Sequence, residues 1–401
     1  MKNFLLLVIL LSSGVLYPSE KGGWTTPDDL IKIARRENPE IKSALRHYQS
    51  AKSAVIPART PDYPWLGYSI DDEKMKTYSI SQMYPFFGKL TLKGKEAKSM
   101  SDALYQMYRD KELEVIVRLK TEYYQLFFIE KAIEIYQQGK ELLGFYTKVA
   151  QSKYTVGQTP ISEVLRAQIE QAKYENMLIT LEQERETALA RINTLLNRPP
   201  DEELGKTVEP ENFDLKISSF AQLLDIARRK SPKIQSGYSE WQSARESLKL
   251  SRMGYLPDFM GTYKWIDRNM DNAGWEAMLG INLPLYFWKQ IYSVKEKGYQ
   301  EEAAKENYQS EINEISYRLK KIWTELNTFR RLINLYKETI IPQAEQGLKS
   351  AEIAYQANKL SFLELLDTQR SLLDFRLEYY QYVAEYEKSL AELEMILGEE
   401  L

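Results

Sequence analysis

An internal duplication constrains the fold of this chain more than any other feature of its sequence. Residues 30–51 (LIKIARRENPEIKSALRHYQSA) resemble residues 223–244 (LLDIARRKSPKIQSGYSEWQSA), about 193 positions later. The resemblance returns near the end of each half, roughly 201 positions apart, in the pairs Tyr154 and Tyr355, Glu163 and Glu364, Leu165 and Leu366, and Gln168 and Gln369. Repeats with a period of about 20–50 residues indicate solenoids or propellers. A period of about half the chain instead predicts one large unit that was duplicated and fused.

The composition excludes several classes of function. The 401 residues include no Cys and one His, which excludes disulfides, thiolate metal sites, thiol nucleophiles and a cysteine-linked lipid anchor. His47 alone cannot build a metal site, so we expect neither a metal nor another cofactor. The formal net charge of −3 is too small to indicate nucleic acid as a partner. No carboxylate is placed with a base or nucleophile, and residues 87–95 (FGKLTLKGK) lack the Walker spacing, so we expect no enzyme.

Residues 1–19 have the pattern of a secretory signal peptide. Lys2 is followed by an apolar run and then by small residues (FLLLVILLSSG). We expect cleavage between Ser13 and Glu20, and a buried N-terminal helix is the alternative. No later segment has the roughly 20 apolar residues that a transmembrane helix needs. The exported chain is therefore expected to be either a soluble periplasmic or secreted protein, or a barrel of the outer membrane.

Each half has the same predicted order of elements: a helix, a β-hairpin and two long antiparallel helices. The first structural repeat spans residues 20–210 and the second spans residues 211–401. Turn signals at residues 156–160 (VGQTP) and around Asn358 separate the long helices, and Pro342 predicts a kink. The predicted elements are a helix at 28–56, a hairpin at 61–87 and helices at 89–154 and 161–196 in the first repeat, then a helix at 219–252, a hairpin at 255–287 and helices at 288–352 and 361–397 in the second.

The long helices carry coiled-coil periodicity, because apolar residues recur with a spacing of about 3.5 residues in both repeats. A helix of about 65 residues would be on the order of 100 Å long, whereas an ordinary globular helix has about 11–12 residues. The opening helices contain Pro39 and Pro232, each of which is expected to break its helix in two. The apolar rows are Ile116, Leu119, Tyr123, Leu126 and Ile133 in the first repeat and Leu372, Phe375, Tyr379, Tyr382, Tyr386, Leu393 and Ile396 in the second.

Apolar and polar residues alternate along the hairpins, which predicts strands with one apolar face. Trp275, Leu279 and Ile281, for example, alternate with polar or small residues. Strands of about 9–12 residues match tilted transmembrane β-strands, although a soluble hairpin packed on a core fits them equally well. Four strands cannot close an outer-membrane barrel, which needs at least eight strands and tolerates no open edge in lipid. Strands in the membrane must therefore come from several chains, and three chains would supply twelve.

In this order of elements the chain resembles the outer-membrane efflux protein family, the TolC-like channels, over essentially its whole mature length. The resemblance rests on the duplication, on the hairpin exits at 84–90 (YPFFGKL) and 283–285 (LPL), and on the turns 154–157 (YTVG) and 355–358 (YQAN), which match the family's Tyr-x-x-Gly. Asn358 replaces the usual Gly, which is acceptable because Asn also adopts a left-handed backbone. Trp288 stands where the second exit often has Gly, which predicts a slightly different helix entry there.

The resemblance implies a mainly α-helical fold with a small transmembrane β part. Such proteins are homotrimers that share a twelve-stranded β-barrel in the outer membrane and extend a coiled-coil α-helical barrel through the periplasm. They are passive exit channels of tripartite efflux pumps, whose partners are a periplasmic adaptor (membrane fusion) protein and an inner-membrane transporter. The expected cargo is drugs, metal ions or other small solutes. The alternatives are type I protein secretion and a soluble periplasmic coiled-coil scaffold or adaptor.

The resemblance also implies three groups of functional residues. Glu364 and Asp367 share one helix face, and a threefold axis would turn them into a pore constriction of six carboxylates. Their first-repeat counterparts are Glu163 and Arg166, and Arg166 is expected to bond Glu364 or Asp367 and hold the gate shut. Solvated charges at a helix start are the alternative.

The resemblance also implies an adaptor contact at the tip, unless its residues only pack under the turns. The expected contact residues are Gly157, Gln158, Thr159, Pro160, Asn358, Lys359, Leu360 and Ser361. The expected aromatic girdle at the membrane interfaces, for which β-propensity alone is the alternative, is Trp65, Tyr68, Tyr84, Tyr263, Trp265, Trp275 and Tyr286.

Overall fold

The computed structural model describes residues 24–72, 74–210, 213, 219–267 and 273–399. The expected signal peptide at 1–19 lies outside these residues, as do residues 268–272 of the second hairpin's turn. The elements, in chain order, are β1 (Trp24–Thr25), α1 (Pro27–Glu37), α2 (Pro39–Arg59), β2 (Trp65–Ile70), β3 (Lys76–Tyr84), α3 (Lys89–Thr155), α4 (Ile161–Leu195), β4 (Lys206–Thr207), α5 (Phe220–Lys230), α6 (Pro232–Arg252), β5 (Asp258–Asp267), β6 (Gly274–Asn282), α7 (Phe287–Leu335), α8 (Ile341–Gln356) and α9 (Phe362–Leu397).

The opening helix of each repeat is broken where the proline predicts it. Asn38 stands between α1 and α2, and its side chain accepts hydrogen bonds from the backbone N–H groups of Glu40 and Ile41. Pro39 is therefore the first residue of a new helix, a position where its missing N–H costs nothing. Ser231 and Pro232 occupy the same places between α5 and α6. The sequence-based helices at 28–56 and 219–252 are each a pair of helices.

The long helices are close to their expected bounds. Helix α3 has 67 residues and is therefore about 100 Å long, and α4 and α9 have 35 and 36 residues. The helix expected at 288–352 is interrupted by one π-helical stretch, Tyr336–Ile340, immediately before α8. Pro342 has no N–H to donate, and the wider π turn places this residue at the start of α8 instead of inside a regular ladder. None of the described helices is both long and apolar enough to span a membrane.

The four long strands form one antiparallel sheet in the order β2-β3-β5-β6. The two hairpins join because β3 pairs with β5, with Tyr84 opposite Phe259 and Lys76 opposite Asp267. Strands β2 and β6 each have a neighbour on one side only, within the described residues. Each chain therefore presents one free edge from the first repeat and one from the second.

The hydrophobic core is shared by the two repeats. The largest cluster contains Tyr123 and Phe127 of α3, Leu319 of α7, and Val383 and Tyr386 of α9, all nearly inaccessible to solvent. Most of the predicted apolar rows lie in it, although Ile133, Phe375 and Tyr382 are only half-buried. A second cluster lies nearer the turns that follow α3 and α8. Both clusters therefore contain residues of both repeats.

Candidate functional site

The turns at the two helix tips have the same backbone conformation. Gly157 follows α3 with φ of 72°, and Asn358 follows α8 with φ of 57°. Both lie in the left-handed region, which glycine and, to a lesser degree, asparagine adopt readily. In each turn the next residue closes a hydrogen bond back to the helix, from Gln158 N to Lys153 O and from Lys359 N to Ala354 O. The replacement of Gly by Asn358 therefore leaves the turn unchanged.

Glu364 is held by the start of its own helix. Ser361 caps α9, and the carboxylate of Glu364 accepts hydrogen bonds from the Ser361 backbone N–H (3.0 Å) and hydroxyl (2.8 Å). These hydrogen bonds lower the pKa of Glu364 from its ordinary value. Helix α4 begins after Pro160 and has no side-chain cap. Glu163 instead accepts a hydrogen bond from the Tyr355 hydroxyl at 3.3 Å.

Lys153 joins the two tip turns, a role that sequence reasoning missed. Its Nζ donates to the backbone oxygen of Tyr355 at 2.6 Å and to Oδ1 of Asn358 at 2.7 Å. The same ammonium group lies 4.0 Å from the centre of the Tyr355 ring, within the range of a cation–π contact. The only signal in the sequence is a difference between the repeats, since the counterpart of Lys153 is the uncharged Ala354.

Asp367 pairs with a residue that the sequence did not single out. Arg370, one turn further along α9, donates to Asp367 Oδ1 at 3.2 Å and to Glu170 Oε2 of α4 at 3.1 Å. Burial opposes ionisation of Glu170, but hydrogen bonds from Lys173 and Arg370 outweigh it and lower its pKa. Arg370 thus ties the first repeat to the second at the tip, with Glu170 nearly inaccessible.

Arg166 does not make the expected pairing within one chain. It is exposed on α4, and among the described residues it forms no ion pair with Glu364 or Asp367. These carboxylates are satisfied by Ser361 and Arg370. A pairing of Arg166 with a neighbouring copy stays a prediction.

The expected adaptor-contact residues divide by exposure. Thr159 and Leu360 are half-buried, and Leu360 packs against the smaller core cluster. Phe362 is almost fully buried beneath the second turn. The residues that solvent reaches freely are Gly157, Gln158, Pro160, Asn358, Lys359 and Ser361. These exposed residues are mostly polar, but Val156 and Ile161 beside the first turn are exposed apolar residues.

The strand register separates the expected girdle residues into two faces. Tyr68 stands opposite Tyr78, which stands opposite Trp265, which stands opposite Trp275, so these aromatic residues share one face. Tyr84 and Tyr263 lie on the same face by the period of two. Trp65 stands opposite Ser81 and so lies on the other face, with Thr262 and Lys264. Trp65 therefore faces the opposite side of the sheet from the other strand aromatics, and a place for it in a girdle stays a prediction. Tyr286 lies beyond the end of β6 and is exposed.

The described residues contain no cluster of three or more His, Asp or Glu side chains that could hold a metal ion. This finding applies to residues 24–72, 74–210, 213, 219–267 and 273–399 only. The tip carboxylates are instead dispersed, each with a hydroxyl or an arginine as its neighbour.

Long paired helices joined to a four-stranded antiparallel sheet are a fold that solved bacterial outer-membrane channels share. The fold matches the outer membrane protein VceC of Vibrio cholerae with a TM-score of 0.79 and 16% identity, over 93% of this chain and 96% of that one. The profile of the outer membrane efflux protein family matches residues 30–198 and 223–399, and the chain belongs to that family.

Two relatives align over most of the chain. The cobalt-zinc-cadmium resistance protein CzcC of Cupriavidus metallidurans is 21% identical over 399 residues, which cover 96% of this chain and 92% of CzcC. The outer membrane protein TolC of Escherichia coli is 22% identical over 86% of this chain and 76% of its own length. The predicted family and the mainly helical fold with four strands are confirmed. The protein is an outer-membrane efflux channel with its helices in the periplasm, and family membership makes it a channel, not an enzyme.

Proposed function

We propose that three copies of this chain form the passive exit channel of a tripartite efflux pump. The observation that supports this most directly is the sheet with two free edges. Unpaired backbone groups of β2 and β6 would be costly in lipid. Three sheets of four strands, joined edge to edge, make a closed barrel of twelve strands, an even number within the range of such barrels.

The two faces of the sheet suit such a barrel. One face carries Leu66, Tyr68, Trp265, Trp275 and Leu279, whose side chains are more than half exposed. The other face carries mainly Ser, Thr, Gly, Lys and Glu. In the proposed barrel the apolar face meets lipid and the polar face lines a water-filled lumen, as transmembrane barrels require.

In this proposal two further pump components work with the channel. An inner-membrane transporter provides the energy, and a periplasmic adaptor contacts the exposed residues of the tip turns. The cargo belongs to the class of drugs, metal ions or other small solutes. The name of the relative CzcC favours testing cobalt, zinc and cadmium first.

The helix tip forms the gate in this proposal. Glu364 and Asp367 lie on one face of α9, so a threefold axis near this face would bring six carboxylates together. Such a ring attracts cations and repels itself unless donors or cations neutralise it. Arg370 and Ser361 are donors of this kind within one chain. Lys153, Glu163 and Arg370 connect the two pairs of long helices, α3–α4 and α8–α9, and would hold the tip narrow.

Conductance in planar lipid bilayers tests the channel and its gate together. The double variant Glu364→Gln with Asp367→Asn removes six charges from a trimer, so we expect weaker cation selectivity and a higher conductance than in the wild type. The matched control is Glu182→Gln with Glu186→Gln. These two exposed carboxylates of α4 lie further from the tip, and replacing them removes the same charge from each chain. A wild-type protein that forms no pore would refute the channel, and equal selectivity in both variants would place the gate elsewhere.

A further inference from the structure

One junction between strand and helix is closed within the chain. At the exit from β3 into α3, the Lys89 ammonium group donates to Asp258 Oδ1 at 2.8 Å and to Leu256 O at 2.9 Å. The same Asp258 oxygen accepts the backbone N–H of Phe86 at 2.8 Å. The rings of Phe86 and Phe259 stack with their centres 6.1 Å apart. We call these contacts, made by residues 84–90 and 256–259, the closed junction.

The duplicated sequence contains the parts of a second junction. Residues 61–63 (PDY) repeat residues 257–259 (PDF), so Asp62 and Tyr63 correspond to Asp258 and Phe259. Residues 284–286 (PLY) resemble residues 85–87 (PFF). A lysine lies near the start of each following helix, Lys89 four residues after Pro85 and Lys289 five residues after Pro284, so the second exit has one extra residue.

Within the described residues, the residues of the second junction do not make the contacts that their equivalents make in the closed junction. Tyr63 is 96% exposed and Leu285 is 67% exposed, the reverse of what large apolar side chains favour. Asp62 and Lys289 are also exposed, and neither forms an ion pair within the described residues. The position of Asp62 is nevertheless defined, because Gln82 Nε2 donates to its backbone oxygen at 2.7 Å.

The order of strands explains why one chain cannot close this junction. Residues 61–63 lead into β2 and residues 284–286 follow β6, and these strands are opposite edges of the sheet. In the closed junction the end of β3 lies beside the start of β5, with Tyr84 opposite Phe259. The same antiparallel arrangement, continued beyond the edge, places the end of β6 beside the start of β2 from another copy.

We propose that Asp62 and Tyr63 of one copy dock on the β6–α7 exit of the next copy. Asp62 pairs with Lys289, and Tyr63 packs on Leu285 and Tyr286. The partner is a second copy of this chain because its charges are complementary and because the closed junction shows the same kinds of contact, an aspartate–lysine pair and a packed aromatic ring. This inference rests on the proposed trimer and adds to it the contact that sets which residues of neighbouring chains meet.

Chemical cross-linking tests the contact directly, since the chain has no Cys of its own. Asp62→Cys together with Lys289→Cys, treated in outer membranes with a short bismaleimide, should give covalent dimers and trimers on denaturing gels. The matched control joins Asp62→Cys to Lys295→Cys, an exposed lysine of α7 about 9 Å further along the helix. The control and either single variant should give only single chains.

A charge exchange provides the second measurement. Asp62→Lys and Lys289→Asp should each lower the fraction of heat-resistant trimers several-fold, and the two together should restore most of it. Assembled trimers that yield no linked chains and show no rescue would overturn this interface alone. A wild-type protein whose mass in detergent corresponds to one chain would instead refute the proposed trimer.

Discussion

Glu387 is a carboxyl group in the core between α9 and α3. Its side chain is 8% exposed, and it faces the hydroxyl of Tyr124. Burial raises the pKa of Glu387 to about 7, while the Tyr124 hydrogen bond and the charge of Lys120 oppose the shift and Glu394 adds to it. Lys120 is itself paired with Glu394 at 2.5 Å. The folded protein therefore holds a proton on Glu387 that the unfolded chain releases at lower pH.

We expect this proton to make stability depend on pH. Below the ordinary pKa of 4.5, Glu387 is protonated in both the folded and the unfolded state. As pH rises from 4.5 to 7, the unfolded chain releases this proton first, so the free energy of unfolding falls. Above pH 7 the ionised group stays buried, at a cost of about 3 kcal/mol. Glu387→Gln should recover stability on that order at pH 8 and flatten this part of the pH profile.

Thermal unfolding in detergent, followed by the helical circular dichroism signal from pH 4 to pH 8, measures the effect. Glu392→Gln on the exposed side of α9 is the control and should keep the wild-type profile. A profile for Glu387→Gln that is parallel to the wild type would contradict the prediction.

At the tip, the sequence predicted which residues share a helix face but not which residues they contact. Glu364 and Asp367 could be placed on one helix face because their spacing of three residues decides it. Their partners could not be chosen, because Arg370 reaches Glu170 only through the packing of α9 near α4. The duplication also suggested equal roles for Tyr154 and Tyr355, yet Tyr355 is buried under Lys153 and Tyr154 is 44% exposed.

Two glycines of α3 differ in what surrounds them. A Cβ on Gly139 would lie 2.6 Å from the ring of Tyr174 and 3.2 Å from Leu373, so α3, α4 and α9 meet closely there. A Cβ on Gly144, five residues later, would meet only Gln171 at 3.8 Å. Both positions are helical, so replacement by Ala gains the same helix propensity of about 1 kcal/mol at each.

Alanine should therefore be less favourable at Gly139 than at Gly144. Gly144→Ala should stabilise the protein by about 1 kcal/mol, whereas Gly139→Ala also pays about 1–3 kcal/mol for overpacking. The difference in unfolding free energy between the two variants, obtained from denaturant titrations, isolates that cost. Equal values would mean that the tip helices can move apart freely.

The helices were easier to predict than their interruptions. Proline, turn residues and a period of about 3.5 residues are local signals, and they placed α3, α4 and α9 within a few residues. The π stretch before Pro342 was expected only as a kink. Its form depends on which backbone bonds can still be made, and Ile341 N–H bonds Tyr336 O, five residues back.

At the scale of the whole molecule, the repeats depend on each other for their core. Tyr386 of α9 donates from its hydroxyl to Phe213 O in the segment that joins the repeats, at 2.9 Å. Helix α3 of the first repeat packs against α6 and α9 of the second. Each repeat alone would expose this contact surface, and every large side chain left in water forgoes about 1.5–3 kcal/mol.

We therefore expect residues 20–210 and 211–401, expressed as separate chains, to be protease-sensitive and to lack a cooperative thermal transition. The control is the same two segments produced together in one cell, where the shared core can form. Limited proteolysis and circular dichroism distinguish the outcomes. A cooperative transition in either isolated repeat would show that its core is sufficient alone.

The sequence by itself determined the duplication, the order of elements and the alternation of the strands, because each depends on residues close together in the chain. It also carried the motifs that mark the family. Only the tertiary structure decided that β3 pairs with β5 and leaves β2 and β6 as the edges. Only the structure placed Trp65 on the polar face and joined Lys153 to Tyr355. These contacts bring together residues distant in sequence, and local propensity contains no information about which distant partner a side chain meets.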